Sequence, residues 1–144
     1  MAETRQYCTF YLDGRLFGIQ VTQVQEVIRY QQMTRVPTAR KEIAGLINLR
    51  GQIVSAIDLR RRLEMPDRPA GKLPMNVVVQ TGQGGVASLL VDEIGDVIDV
   101  RAEQFEKAPE TLKGVARELI EGAYKLEKKL LLALSVEKTM DLPV

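Results

Sequence analysis

Two apolar runs joined by a short polar break dominate the middle of the chain, between residues 43 and 59. Within each run, apolar positions fall on both of the faces that a β-strand would present. The break at residues 48–52 contains Gly51, which can supply the positive φ of a tight turn. We therefore predict a β-hairpin that lies at the centre of the core, covered on each side, with Arg50 presented at its tip.

Alternating patterns predict further strands on both sides of this hairpin. They cover residues 6–12, 16–21, 33–36, 76–80, 86–91, 119–126 and 130–136. A long connection is expected over residues 101–118, and a last helical turn over residues 136–140. Strands therefore dominate the predicted secondary structure.

One segment, residues 23–29, predicts a short helix instead. Thr22 and Gln25 are spaced as in a capping box, in which a hydroxyl and an amide three residues later satisfy the first backbone donors. Val24 and Val27 then recur at helical spacing, which would place both side chains on one side of the helix.

The two halves of the chain resemble each other. A shift of 70 residues lays residues 21–28 over 91–98, and a shift of 77 lays 43–57 over 120–134 without a gap. Duplication of a small all-β module explains both matches, since a module of that size needs a neighbour to bury enough apolar surface. The predicted fold is mainly all-β, with two small five-stranded antiparallel β-barrel subdomains packed together and a few short helices. The subdomains are placed at about residues 6–70 and 74–136 of a single domain, residues 1–144, which ends in a C-terminal turn at 137–144.

Composition excludes several classes of function. The 144 residues carry a net charge of +1, so no overall field attracts a nucleic acid or a membrane surface. Histidine is absent and Cys8 is the only cysteine, which removes the common nucleophile pairs, histidine metal ligands and any intramolecular disulfide. Cys8 is expected to be a small buried hydrophobe. We predict no catalytic residue, cofactor or metal.

No apolar run reaches the roughly 18 residues that a membrane span requires, and no apolar segment of a signal peptide follows the first methionine. The sequence therefore predicts a cytoplasmic protein without direct membrane insertion.

Several short motifs carry a resemblance to a known family. They are Phe-Gly-Ile at 17–19, Val-Gln-Glu-Val-Ile at 24–28, Asn-Leu-Arg-Gly at 48–51, Asp-Leu at 58–59 and Val-Asp-Glu at 91–93. With these motifs the chain closely resembles the CheW-like family of bacterial chemotaxis coupling proteins over nearly its whole length. The resemblance implies a non-enzymatic adaptor of two five-stranded barrels. It also implies two partners, the cytoplasmic tips of chemoreceptors and the regulatory domain of the histidine kinase CheA, at membrane-bound receptor arrays.

The resemblance further implies which residues meet the receptor. By position, these are Val24, Glu26, Val27, Arg50, Val77 and Val97, which would line a groove between the barrels, while Asn48 and Gly51 shape the hairpin tip. An apolar receptor helix tip would lie against the valines, and charge-assisted bonds from Arg50 and Glu26 would fix its register. Ser55 departs from the family, which often has proline there.

Two other functions and one structural alternative remain open at this stage. A nucleic-acid-binding small-barrel protein would use Arg50 with the run 60–62, although that run is more typical of a solvated helical turn. An enzyme would use the carboxylates of Asp92, Glu93, Asp96 and Asp99. Taken by spacing alone, Arg50 is also compatible with an ordinary solvated turn residue.

Overall fold

The computed structural model describes residues 4–142, about half of which lie in short strands. The strands are β1 (Thr4–Leu12), β2 (Arg15–Gln20), β3 (Val24–Ile28), β4 (Ile43–Leu49), β5 (Gln52–Asp58), β6 (Met75–Gln80), β7 (Val86–Val91), β8 (Glu93–Arg101), β9 (Phe105–Glu106), β10 (Ile120–Lys125) and β11 (Leu130–Leu134). The α-helices are α1 (Leu59–Arg62), α2 (Val115–Leu119) and α3 (Val136–Met140), and 3-10 turns occur at Val21–Gln23 and Ala102–Gln104. None of the helices between residues 4 and 142 is long and apolar enough to cross a membrane.

The strands form two sheets. Sheet one has the order β8-β1-β2-β11-β10-β9, and sheet two has the order β3-β6-β7-β5-β4. The mainly all-β prediction with short helices is confirmed, but the sheets differ from antiparallel five-stranded barrels. Each contains one parallel pair, β2 with β11 and β5 with β7, and sheet one gains the short strand β9. Neither sheet closes into a complete barrel within the described residues.

The internal repeat is visible in the order of the strands. Sheet two runs β3-β6-β7-β5-β4, and the corresponding strands of sheet one run β8-β1-β2-β11-β10, with the parallel pair at the same place. Each sheet also contains a hairpin from the other half of the chain. We call β1–β2 and β6–β7 the exchanged hairpins.

Because of the exchanged hairpins, the predicted subdomains at residues 6–70 and 74–136 do not correspond to the sheets. Sheet one combines residues 4–20 with residues 93–134, and sheet two spans residues 24–91. A repeat in the sequence shows which segments are alike, whereas the burial of apolar faces decides which segments pair. The boundary near residue 70 therefore separates the repeats but not the sheets.

The two sheets share one large core. It contains Phe10, Phe17 and Leu132 from sheet one together with Val77 and Leu89 from sheet two. Apolar contacts across the sheets therefore bind the two repeats together, as expected for modules that are too small to be stable alone. Cys8 is half-buried rather than fully buried.

The hairpin predicted at residues 43–59 is present as β4 and β5, but its predicted central position is wrong. β4 is an edge strand, and β7 is the central strand of sheet two. Ile53 on β5 is 59% exposed, while Ile47 and Val54 are buried in a small separate cluster. The predicted strand at 33–36 is reduced to a single bridge between Thr34 and Leu46, which covers the outer edge of β4.

The helix predicted at residues 23–29 is also wrong. Residues Val21–Gln23 form one 3-10 turn without a side-chain cap, and β3 begins at Val24. The β-branched residues Val24, Val27 and Ile28 favour an extended backbone, and pairing with β6 supplies hydrogen bonds that local spacing does not reveal. The last predicted turn, at residues 136–140, is confirmed as α3, whose first turn is capped by Ser135.

Candidate functional site

The candidate interaction surface lies where the two edges of sheet two approach each other. It consists of Val24, Glu26 and Val27 on β3 and Arg50 at the β4–β5 tip, and we call it the seam surface. β3 and β4 are the first and last strands of sheet two, so a contact between β3 and the tip requires the sheet to curl. The seam surface thus depends on residues that are distant in the sheet.

The tip itself is a two-residue turn. Leu49 and Gln52 are directly opposite each other, and the residues between them, Arg50 and Gly51, have φ of 52° and 92°. Positive φ at both central positions is the requirement of a type I′ turn, which matches the twist of the flanking strands. The Gly51 backbone N donates to Asn48 Oδ1 at 2.8 Å, and this bond closes the turn. Asn48 and Gly51 both take part in this turn.

One ion pair closes the seam. Arg50 Nη2 donates to Glu26 Oε2, with the Arg50 side chain 73% exposed and that of Glu26 23% exposed. Exposed ion pairs contribute at most about 1 kcal/mol to stability, and salt screens them. The pair therefore orients two charged groups at the surface more than it stabilises the fold.

A β-bulge determines which valines face the same way. The register of β3 against β6 shifts between Val24 and Glu26, so that Val24 lies opposite Val79 and Val27 lies opposite Val77. In a regular strand, residues three apart would point to opposite faces. The bulge places Val24 and Val27 on the same face, the arrangement that the incorrect helix also implied.

The remaining predicted contacts differ sharply in exposure. Val27 is 39% exposed and Val97, on β8 of sheet one, is 58% exposed. Val24 is half-buried against the large core. Val77 is 1% exposed and belongs to that core, so its side chain is not available to a partner. The structure brings Glu26 and Arg50 into contact and places Val24 and Val27 on the same strand as Glu26. It places Val97 on the other sheet and buries Val77 in the core.

Asp92 is the centre of a second charged group, which sequence reasoning missed. It lies between β7 and β8, where the chain passes from sheet two to sheet one. Arg60 Nη2 donates to it at 2.5 Å, Arg68 Nε at 2.8 Å and the Asp13 backbone N at 2.8 Å. Burial alone would raise the pKa of Asp92, but the hydrogen bonds from Arg60, Asp13 and Arg68 outweigh it and lower the pKa to about 2.

The hydrogen bonds of these arginines argue against the nucleic-acid-binding alternative. Arg60 is 6% exposed, because α1 turns it towards Asp92. Arg61 donates to Asp67, and Arg62 donates to backbone oxygens of α3, including Thr139 O at 2.9 Å. The predicted helical turn is therefore confirmed, but it is not simply solvated, and its arginines do not form a free basic patch.

The carboxylates considered for catalysis are likewise not assembled into a site. Asp92 is held by arginines, and Asp96 and Asp99 are exposed along β8. Across residues 4–142, no group of three or more acidic or cysteine side chains is arranged to hold a metal ion. A cavity of about 530 Å³ beside Asp92 is lined by charges of both signs, such as Arg68 and Glu93.

Comparison with known proteins decides the family. Residues 6–143 match the family model described as the CheW-like domain. The chain belongs to the CheW-like family. The chemotaxis protein CheW of Bacillus subtilis is 33% identical over 132 residues, which cover 92% of this chain and 84% of that protein. The chemotaxis protein CheW of Klebsiella aerogenes is 32% identical over 136 residues, which cover 94% and 81%.

A solved CheW structure agrees with the fold of this CheW-like chain. The crystal structure of the scaffolding protein TtCheW from Thermoanaerobacter tengcongensis superposes with a TM-score of 0.85 at 27% identity, and the match covers 97% of this chain and 94% of that one. The resemblance stated from the sequence motifs is confirmed. CheW-like proteins are scaffolds rather than enzymes, in agreement with the predicted class of protein.

Proposed function

We propose that this CheW-like chain couples the cytoplasmic tips of chemoreceptors to the regulatory domain of the histidine kinase CheA. The observation that carries the proposal is the seam surface, where the exposed Val27 lies on the same edge strand as Glu26, which forms an ion pair with Arg50 at the hairpin tip. Membership of the family over residues 6–143 supports the same conclusion. In this proposal the protein acts in the cytoplasm, at the membrane-bound receptor arrays.

The seam surface offers two kinds of contact to a receptor helix tip. Val27, and Val24 at its side, provide apolar area against which a helix can pack. Arg50 uses one guanidinium nitrogen for Glu26, and its other N–H groups can donate to a carboxylate of the partner. The apolar contacts supply affinity, and the charged contacts select the orientation of the helix.

Val97 and Val77 have different proposed roles, because one is exposed and the other is buried. Val97 is exposed on sheet one, so we propose it as an additional contact at the far side of the same partner. Val77 lies directly opposite Val27 on the neighbouring strand and belongs to the core, so it supports the strand pair without touching the partner. We therefore propose five contact residues instead of six.

Reconstitution tests the coupling function. Purified protein is added to receptor cytoplasmic fragments arrayed on vesicles together with CheA, and kinase autophosphorylation is measured. We expect a several-fold rise over receptor and kinase without the protein. Equal phosphorylation with and without it would contradict the proposal.

Charge reversal at the tip tests the seam surface. Arg50→Glu removes the donors and places like charges at Arg50 and Glu26, so we expect loss of receptor capture and of kinase stimulation. Lys128→Glu is the matched control, because Lys128 is exposed in the turn between β10 and β11, the counterpart of the tip in the other repeat. Equal receptor capture by the two variants would contradict the assignment of the surface.

A further inference from the structure

β3, which carries most of the seam surface, lies at the edge of sheet two. It has five residues, its one partner among the strands of residues 4–142 is β6, and its register is interrupted by the bulge between Val24 and Glu26. A slip of one residue in the register of a strand turns every side chain to the opposite face. Such a slip would turn Glu26 away from Arg50.

Two linked side-chain hydrogen bonds, the first buried and the second partly buried, run across sheet two to the end of β3. Ser88 Oγ on β7 donates to Asn76 Oδ1 on β6 at 2.7 Å. Asn76 Nδ2 then donates to the backbone O of Arg29, the residue that follows β3, at 3.1 Å. Asn76 is 1% exposed and Ser88 is not exposed at all, so neither side chain bonds to water in place of the other.

These two polar residues are unusual choices for stability alone. Burying a hydroxyl and an amide has a desolvation cost that their hydrogen bonds only offset, and apolar residues of similar shape would fill the space as well. The bonds have a geometric effect that apolar contacts lack, because the Asn76 amide reaches this acceptor only when the carbonyl of Arg29, directly after β3, stands at one position. They specify a single register.

We propose that Asn76 and Ser88 are positioning residues for partner recognition. They fix the register of β3, and thereby hold Glu26 within reach of Arg50 and Val27 at the surface. Neither residue touches the partner. This inference rests on the proposed function, since it assumes that the seam surface binds the receptor.

The test replaces both polar residues by apolar ones of similar shape, in the double variant Asn76→Leu with Ser88→Ala. Since both partners of the Asn76–Ser88 bond become apolar and the Arg29 carbonyl lies at an exposed residue, we expect the variant to remain folded. Hydrogen exchange of the β3 amides should become faster, while exchange in sheet one stays unchanged. Capture of receptor cytoplasmic fragments should weaken several-fold, while capture of the CheA regulatory domain is retained.

Leu131→Ala is the control for a general loss of stability. Leu131 is fully buried in a separate cluster formed by sheet-one residues alone, so this variant lowers the melting temperature without removing a contact of β3. We expect it to keep its receptor capture at temperatures below melting. If the double variant is unstable, Ser88→Ala alone removes the donor that orients the Asn76 amide, and we expect the same changes with a smaller amplitude.

Three outcomes would overturn the inference. These are unchanged receptor capture by a folded double or Ser88→Ala variant, unchanged exchange of the β3 amides, and equal loss of receptor and kinase capture. Arg50→Glu, measured beside these variants, separates the two proposals. If Arg50→Glu abolishes receptor capture while the polar replacements do not, only the positioning role fails; if Arg50→Glu has no effect, the proposed function itself fails.

Discussion

The turn fixes the backbone conformation of Arg50, whereas the Arg50 side chain is exposed to solvent. Its positive φ is uncommon for a residue with a Cβ atom, and the Gly51–Asn48 hydrogen bond holds the turn that requires it. Its guanidinium nevertheless remains 73% exposed. The sequence predicted the tip and its exposed arginine, because glycine and asparagine signal such turns locally. It did not predict the pairing with Glu26, which depends on the curl of sheet two.

Arg50→Ala should separate binding from stability. The substitution keeps a Cβ atom in the same backbone conformation and removes only an exposed ion pair, so the free energy of unfolding should change by no more than about 0.5 kcal/mol. Receptor capture should fall strongly. Thermal melting and receptor pull-down of this variant, with Lys128→Ala as the control, check the prediction; a large drop in melting temperature would instead identify the guanidinium as a structural group.

Asp92 should contribute to stability in a pH-dependent way. Its pKa is about 2 in the folded protein and about 3.9 in an unfolded chain, so its contribution is complete above pH 4 and is lost as the pH falls towards 2. Asp92→Asn removes the charge paired with Arg60 and leaves Arg68 only its longer contact with Asp58, at 3.8 Å, so it should lower the free energy of unfolding at pH 7 by about 3 kcal/mol.

Urea unfolding between pH 7 and pH 2 measures this effect. The difference between the wild type and Asp92→Asn should shrink as the pH falls below 4. Asp99→Asn, at an exposed position of β8, is the control and should show only a small change at any pH. A difference that stays constant down to pH 2 would show that the Asp92 carboxylate is not the source of the stability.

At the scale of the element, β3 shows why the spacing of apolar residues along the sequence led to an incorrect prediction of a helix. Val24 and Val27 are three apart, which is the spacing of a helix face, yet the bulge places them on one face of a strand. Local patterns identify strands with regular alternation, and β7 was predicted with its correct bounds. A bulged edge strand has no such regular signal, since its geometry is set by β6, which lies some fifty residues away.

Val27 and Val77 form a matched pair for testing β3. They are directly opposite in the β3–β6 ladder, but Val27 is 39% exposed and Val77 is 1% exposed. Val27→Asp should abolish receptor capture with little loss of stability. Val77→Asp should unfold the protein, because it buries a charge without a partner. Circular dichroism melts and receptor pull-downs check both; if Val27→Asp unfolds the protein as well, Val27 belongs to the core.

At the scale of the whole molecule, the two sheets have the same strand order but different tips. The first repeat ends its hairpin in Arg50 and Gly51, whereas the second places Glu127 and Lys128 at the equivalent turn. The sequence predicted the duplication and this asymmetry. It could not show the sheet boundaries, nor the burial of Arg60 on Asp92, because both depend on contacts between distant segments.

Through the exchanged hairpins, each half of the chain completes the sheet that the other half forms. A chain divided after Ala70 would yield two fragments, each with a hairpin that has lost the sheet it belongs to and a partial sheet that lacks a hairpin. We expect residues 1–70 and 71–144 to be unstructured when expressed separately and to reconstitute receptor binding when expressed together. Circular dichroism and co-purification check this, and a separately folded fragment would contradict it. Because each repeat completes the sheet of the other, substitutions at the hairpin tip of one repeat do not separate the two repeats.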